Sequence, residues 1–187
     1  MFVLKNIIKL SNSDWFHFVL NIGEGVYESM DERLFRDAMG KFATGVTVVV
    51  TELNGEIFAA TVNAFMSVSL NPMLILISLN KTSQTLNKIK QRGLFTVNVL
   101  NKDQINISNH FASKKKSTKE IEFDFLDGMP VIPNTLAQII CTVSSEYEEG
   151  DHVLIVGKVT NLQIFEGEPL IFLEGGYRTL KEKPGQA

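Results

Sequence analysis

The alternation of apolar and polar residues along the chain predicts a mainly β protein with a few short helices. Apolar residues recur at helical spacing over 30–42, and two shorter helices are expected at 83–91 and 102–111. Runs that are β-branched or alternate in polarity predict strands at 46–51, 56–63, 73–79, 95–100, 137–148, 152–165 and 170–173. Asn54-Gly55 predicts a tight hairpin turn, and residues 113–135 are expected to form a long loop.

The connections between the predicted strands favour an antiparallel barrel over a doubly wound parallel sheet. Most are hairpin-like and too short to hold the helical crossover that parallel neighbours require. The pattern of Ser29-Met30-Asp31-Glu32 fits a capping box, with Ser29 as the cap and Glu32 reaching back. We therefore expect one domain over residues 29–187, preceded by an N-terminal extension over residues 1–28.

The extension holds two apolar clusters, at 2–10 and at 15–20, and charged residues interrupt both. Neither supplies the roughly 18 uninterrupted apolar residues of a membrane helix. A signal peptide would need a cleaner apolar core and a cleavage site of small residues, and neither is present. We expect the extension to pack on the domain or on a partner subunit. A start codon assigned upstream of Met30 and association with a membrane surface remain open alternatives.

Composition excludes several classes of function. The 187 residues include 18 Lys+Arg and 21 Asp+Glu, for a net charge of −3, which leaves no excess cations for neutralising nucleic-acid phosphates. The single cysteine, Cys141, rules out an intrachain disulfide and a Cys-rich zinc site, which fits a reducing, cytoplasmic setting. The three histidines lack metal-site spacing, so no metal is expected. The glycine-rich motifs of the common nucleotide-binding folds are absent as well.

One stretch of the chain combines small polar side chains with an apolar frame. Four of these residues are separated from one another by even numbers of positions: Thr61, Asn63, Ser67 and Ser69. A continuous strand would place all four on one face. That face is either exposed to water or paired with a ligand rich in hydrogen-bond acceptors, and the pattern alone favours neither interpretation.

Two shorter segments also have polar chemistry. Lys81-Thr-Ser-Gln-Thr85 lies at the start of a predicted helix, where free N–H groups and the positive helix end suit an anion. Ordinary helix capping explains the same residues. Gly150-Asp151-His152 lies in a turn between strands, so His152 is either a surface residue or part of a pocket rim.

Together these segments resemble the flavin-reductase-like family, the short-chain reductases that serve two-component flavin-dependent monooxygenases. The resemblance runs from about Asp31 to Leu180. The matching segments are Arg36–Phe42, Thr44–Val49, Thr61–Phe65, Ser67–Leu70, Ser83–Thr85, Phe95–Leu100, Gly150–His152 and Gly175–Leu180. Each segment is weak alone, and their order and spacing make the resemblance specific. Ala64 and Met73 depart from the family pattern, which usually has Ser and Pro there.

The resemblance implies a split β-barrel of Greek-key character, a homodimer, and FMN or FAD bound in a groove near the subunit interface, with NAD(P)H as co-substrate. The residues that match the segment lining the flavin ring and ribityl chain are Thr61, Asn63, Ser67, Val68 and Ser69. Ser83 and Thr85 match the phosphate-binding Ser-x-Thr, and Thr44 lies in the matching Thr-Gly turn. His152 matches the Gly-Asp-His motif linked to nicotinamide nucleotide binding.

The implied activity is NAD(P)H-dependent flavin reduction, which supplies reduced flavin to a partner monooxygenase or to ferric iron. No side chain is expected to act as a catalytic acid or base, because hydride passes directly between the two cofactor rings. A flavin-binding electron carrier without NAD(P)H turnover is the main alternative. A pyridoxamine-phosphate-oxidase-like enzyme and a non-flavin binding barrel are less consistent with the motif order and the charge.

Overall fold

The computed structural model describes residues 31–113 and 121–180, and in this part the chain is mainly antiparallel β, as predicted. Its helices are α1 (Glu32–Gly40), α2 (Gln84–Arg92) and α3 (Ile105–Ala112). Its strands are β1 (Thr44–Gly45), β2 (Thr47–Leu53), β3 (Glu56–Val62), β4 (Phe65–Leu70), β5 (Met73–Asn80), β6 (Leu94–Val99), β7 (Asp124–Leu126), β8 (Met129–Val131), β9 (Ala137–Glu149), β10 (His152–Ile164), β11 (Ile171–Leu173) and β12 (Gly176–Arg178).

Helix α1 begins two residues later and ends two residues earlier than the sequence predicts. The expected cap, Ser29, and the N-terminal extension lie outside the described residues. Within the described part, Asp31 Oδ1 accepts a hydrogen bond of 2.9 Å from the Arg33 N–H, which satisfies one donor of the first turn.

The main sheet has seven strands in the order β3-β2-β6-β9-β10-β5-β4. Strands β3 and β4 are at opposite ends of this order, yet only Asn63 and Ala64 separate them in the chain. The two ends of the sheet must therefore meet. The two-residue link itself holds them together, and the Ser78 N–H continues the β4–β5 ladder into this link by donating a 3.1 Å hydrogen bond to the Ala64 carbonyl. No ladder joins β3 to β5 in the described residues, so the sheet rolls up but stays split along this line, which we call the seam.

The roll encloses one core cluster, to which α2 contributes Leu86 and Ile89. Fully buried members from different strands include Val49, Ile77, Phe95 and Ile155. The neighbours of Val49 in β2, Val48 and Val50, face a second cluster on the other side of the sheet. Burial on both faces explains why β2 is an uninterrupted β-branched run rather than an alternating one.

The prediction of a long loop over 113–135 is wrong in part. Strands β7 and β8 form a hairpin there, and Asp127 and Gly128 adopt positive φ angles of 48° and 76° at its turn. The hairpin is held against β6, because the Thr96 hydroxyl donates to the Pro130 carbonyl at 2.8 Å and Asn98 Oδ1 accepts from the Ile132 N–H at 2.9 Å. Residues 114–120 of the predicted loop lie outside the described part.

Thr44 and Gly45, expected in a Thr-Gly turn after the first helix, instead take part in a sheet. They form the short strand β1, which pairs with β11, and β11 pairs with β12. Over 31–113 and 121–180, no helix is long and apolar enough to cross a membrane. The same residues contain no group of His, Cys, Asp and Glu side chains that could hold a metal ion.

Gly157 on β10 lies where the core leaves no room for a side chain. A Cβ atom built there would be 2.6 Å from Phe95 Cζ and 3.0 Å from Cys141 Cβ. Phe95 is fully buried among core side chains, so moving its ring disturbs the packing around it. We expect Gly157→Ala to lower the free energy of unfolding by about 1–3 kcal/mol, the usual cost of overpacking. Urea denaturation measures the change, with Gly45→Ala as the control, because no atom lies within 4 Å of its added Cβ. Equal stability of both variants would contradict this packing.

Cys141 lies in the same part of the core, and burial raises the pKa of its thiol to about 12. Thiolate is therefore scarce at pH 8, and the sulfur is shielded from reagents. We expect the native protein to resist alkylation by iodoacetamide at pH 8 and to react fully once unfolded in urea. Mass spectrometry follows the modification, and rapid labelling of the native protein would contradict the placement of Cys141.

Candidate functional site

A pocket of about 1000 Å³ opens at the seam of the rolled sheet. One wall is formed by β3 and the link that follows it, residues 57–64, and another by the end of β5, residues 78–80. The first turn of α2, the end of α3, residues 121 and 123, and His152 complete the lining. The pocket therefore lies where strands that are distant in sheet order come together.

The polar end of the pocket is built around the start of α2. Ser83 is the N-cap, and its Oγ accepts from the Leu86 N–H at 3.3 Å. Asn80 shapes the preceding turn, since its Oδ1 accepts from the N–H and the hydroxyl of Thr82 at 2.9 and 2.6 Å. Thr85 is only 4% exposed and still lines the pocket. The first-turn N–H groups of a helix lack intrahelical acceptors, so this end presents donors suited to an anion.

His152 reaches the pocket from the first residue of β10, directly opposite Asn80 in the β5 ladder. Its Nδ1 lies 2.8 Å from Asp151 Oδ1, and this hydrogen bond lowers the pKa of Asp151 below its usual value. The Lys81 N–H donates to the Asp151 carbonyl at 2.9 Å, which ties the β9–β10 turn to the start of α2. Lys81 Nζ also pairs with Glu148 Oε2 at 3.2 Å.

Part of the pocket lining is apolar and aromatic, and it includes Ile57, Phe58, Phe111 and Phe123. Phe58 also contacts α2, since Lys88 Nζ lies 5.1 Å from the centroid of its ring. The rings of Phe111 and Phe123 lie 6.1 Å apart at an interplanar angle of 48°. Aromatic rings in such a wall bury the faces of a planar ligand and exclude water from it.

Helix α3 is tied to the pocket strand and to the C-terminal hairpin. The Thr61 hydroxyl donates to the Ser108 carbonyl at 2.7 Å. The Tyr177 hydroxyl lies within hydrogen-bond distance of Ser108 Oγ, at 2.9 Å, and of Asn109 Oδ1, at 2.8 Å. These contacts hold the last turn of α3, with His110 and Phe111, against the pocket.

The pocket brings together five residues that the sequence singles out: Thr61, Asn63, Ser83, Thr85 and His152. The other four lie outside its lining: Thr44 on β1, and Ser67, Val68 and Ser69 on β4. The expectation that the polar residues from 61 to 69 share one face does not hold. The strand is interrupted at Asn63 and Ala64, and a register shift between Ser67 and Ser69 breaks the alternation a second time.

Several lining residues carried no signal in the sequence. His110 and Phe111 on α3 are 49 and 50 residues from Thr61 in the chain, and only the fold brings them into the same pocket. The role of Asn80 could have been predicted from the local sequence, because an Asn side chain commonly accepts a hydrogen bond from the N–H two residues later in a turn.

Comparison with known proteins gives a consistent result. A family model described as "Flavin reductase like domain" matches residues 39–181. An NADH-dependent flavin reductase of Rhodococcus sp is 37% identical over 149 residues, which cover 78% of this chain and 85% of that protein. The reductase component of 4-hydroxyphenylacetate 3-monooxygenase from Thermus thermophilus is 35% identical over 147 residues, covering 78% of this chain and 95% of that protein.

Among solved structures, the flavin reductase PheA2 in its native state superposes with a TM-score of 0.79 at 50% sequence identity. The match covers 82% of this chain and all of that one. The flavin reductase of styrene monooxygenase from Pseudomonas putida S12 superposes with a TM-score of 0.76 at 30% identity, over 80% of this chain and 98% of that one. Both neighbours are flavin reductases of the split-barrel type, which confirms the predicted fold class.

Proposed function

The chain belongs to the flavin-reductase-like family, and on this basis we propose that it is an NAD(P)H-dependent flavin oxidoreductase. It reduces FMN or FAD and supplies the reduced flavin to a partner monooxygenase or to ferric iron. The observation that carries the proposal is the seam pocket, which joins a helix N-terminus suited to a phosphate with an apolar wall suited to a planar ring.

The residues present fit a flavin. The pocket volume of about 1000 Å³ is at the upper end of the range for small-molecule sites, so it has room for a flavin and a second ring beside it. Ser83, Thr85 and the first-turn N–H groups of α2 would hold the phosphate. Thr61 and Asn63 line the adjoining wall, where they would face the ribityl chain and the ring.

When bound, the flavin supplies the redox chemistry by accepting a hydride from the nicotinamide. The work of this chain is to hold the two rings in contact and keep water from between them. The apolar part of the pocket lining, with Phe111 and Phe123, serves that exclusion. His152, fixed by Asp151 at the rim, shapes the nicotinamide site and takes no proton in the proposed reaction.

A steady-state assay with NADH and NADPH against FMN, FAD and riboflavin tests the proposed function. We expect oxidation of at least one nucleotide, followed at 340 nm, that requires added flavin. A protein that binds flavin but oxidises neither nucleotide would instead be a flavin-binding electron carrier. Absence of both binding and turnover would contradict the proposal altogether.

Two substitutions at Ser83 distinguish its role in helix capping from its proposed role in phosphate binding. Ser83→Ala loses the cap to Leu86, which lowers the free energy of unfolding by about 0.5–2 kcal/mol. Ser83→Asp keeps a capping oxygen but adds a negative charge, so it should retain stability and repel a phosphate. We expect both variants to bind FMN more weakly than the wild type, while riboflavin, which lacks the phosphate, is unaffected. Flavin fluorescence quenching measures the affinities; equal losses for the two ligands would move the phosphate elsewhere.

His152 is proposed to serve the nicotinamide nucleotide. We expect His152→Ala to raise the KM for NADH more than the KM for flavin, because the pocket rim is altered and the start of α2 is not. The steady-state assay gives both constants. The reverse pattern would place His152 on the flavin side.

We propose that the protein is a homodimer that covers β4. This strand is at an edge of the main sheet and exposes the apolar side chains of Met66, Val68 and Leu70, and Met73 is exposed at the start of the neighbouring β5. An uncovered apolar edge strand favours association, and a second copy of the chain would bury it.

Ser67, Val68 and Ser69 lie on this strand, so their proposed contact with flavin requires the groove to extend to the subunit interface. The contact proposed for Thr44 has no support from the pocket lining.

Leu70, which is 91% exposed, tests this interface. We expect the wild type to have twice the chain mass in light scattering and Leu70→Glu to shift toward the monomer, because a charge would be buried in the contact. Ile164→Glu, at a site 77% exposed on β10, is the matched control and should stay dimeric. A monomeric wild type, or a dimer unaffected by Leu70→Glu, would argue against β4.

A monooxygenase partner is proposed from the relatives, which include the reductase component of 4-hydroxyphenylacetate 3-monooxygenase. We also propose a cytoplasmic location, because NADH is produced there and the lone cysteine needs no oxidising compartment. Residues 29–187 are proposed as the reductase domain, with 1–28 as an extension of it.

A further inference from the structure

His110 is the pocket residue whose chemistry the proposed function leaves unused. It lines the pocket from the last turn of α3, and its ring meets the Phe111 ring edge-on at 4.7 Å. Its Nδ1 atom is closed off from solvent and has no hydrogen-bond partner in the described residues. Native structures rarely leave a buried polar atom unpaired without a reason. A ligand in the pocket offers the partner that the protein does not.

We propose that His110 hydrogen-bonds to the ring system of the bound flavin and that Tyr177 is the residue that positions it; the proposal rests on the proposed function. The flavin ring has carbonyl and nitrogen atoms along one edge, and an imidazole can donate to them or accept from them. Half a turn of the His110 ring about its Cβ–Cγ bond exchanges the positions of Nδ1 and Cδ2, and this torsion is a soft one, so a bound ligand can select either orientation.

Helix α3 needs external support to hold His110 in place. It has only eight residues, and its N-cap, Gln104, makes no capping hydrogen bond through its side chain. Helices this short are marginal by themselves, so tertiary contacts decide where they lie. Two such contacts converge on Ser108, two residues before His110 and 1% exposed.

The first contact assigns His110 to the flavin side of the pocket. The Thr61 hydroxyl donates to the Ser108 carbonyl at 2.7 Å, two residues before His110. Thr61 is one of the residues proposed to face the flavin, and this hydrogen bond holds the part of α3 that carries His110 against Thr61. His152 reaches the pocket from a different element, the start of β10.

The second contact gives a role to the C-terminal Gly-Gly-Tyr segment. The Tyr177 hydroxyl joins Ser108 Oγ at 2.9 Å and Asn109 Oδ1 at 2.8 Å, and its ring packs edge-on against Phe172 at 5.5 Å. Phe172 and Tyr177 are also partners in the β11–β12 ladder, so the tyrosine is held on a rigid hairpin. Tyr177 thus fixes the residue next to His110 without lining the pocket itself.

A double-mutant cycle on flavin affinity tests the proposal without using turnover. Tyr177→Phe removes only the hydroxyl, and His110→Phe removes both ring nitrogens while keeping an aromatic ring. Tyr147→Phe, on an exposed part of β9, is the matched control. Flavin fluorescence quenching gives Kd for FMN and riboflavin, and thermal melting reports the fold of each variant.

We expect His110→Phe to weaken FMN and riboflavin binding alike by about fivefold to tenfold, the loss of one hydrogen bond to the ring. Tyr177→Phe should weaken both ligands by a few-fold in the wild type and by less than about twofold in the His110→Phe background. His110→Gln should recover part of the affinity, and it replaces His110→Phe if that variant fails to fold. Tyr147→Phe should change nothing.

Unchanged affinity in both His110 variants would overturn the contact with flavin. Additive effects of Tyr177→Phe and His110→Phe, or a Tyr177→Phe variant that melts earlier but binds normally, would overturn the positioning role. A wild-type protein that binds no flavin would contradict the proposed function itself, and that outcome is distinct from the other two.

Discussion

The two-residue link between β3 and β4 is the constraint on which the rest of the structure depends. Asn63 and Ala64 join strands that lie at opposite ends of a seven-stranded sheet. A flat sheet would hold those ends several strand widths apart, at roughly 4.8 Å per strand. The sheet must therefore roll until the end of β3 and the start of β4 lie beside each other.

Rolling the sheet explains both the core and the pocket. Side chains from all parts of the sheet converge on one interior cluster, and α2 closes it with Leu86 and Ile89. Because no ladder joins β3 to β5 within the described residues, the seam remains open to a ligand. The start of α2 follows β5 directly, so a helix N-terminus lies at the seam as a consequence of chain order.

Local pattern was sufficient for most elements but not for their arrangement. The hairpin at Asn54-Gly55, the helix capped by Ser83 and the long strands β9 and β10 depend on neighbouring residues, and they formed close to the predicted bounds. The β7–β8 hairpin was missed although Asp127-Gly128 is a hairpin signal, because its strands have only three residues each. Strands so short show no alternation to recognise.

The site was predictable only where its residues are close in sequence. Ser83 and Thr85 are two residues apart at the start of a helix, so an anion site there could be predicted without knowing the tertiary fold. Placing Thr61, Asn63, Ser67 and Ser69 on one face required an uninterrupted strand. The strand is instead interrupted after β3, where the sheet must roll. His110 and Tyr177 are placed by contacts between residues that are more than 40 positions apart in the sequence. Local periodicity carries no information about contacts at that separation.

The most direct test of this account is a crystal structure of the protein soaked with FMN. The account predicts the phosphate at the N-terminus of α2, within hydrogen-bond distance of Ser83 or Thr85, and the ring along the wall that holds Thr61 and Asn63. Flavin bound away from the seam, or a phosphate remote from α2, would contradict it.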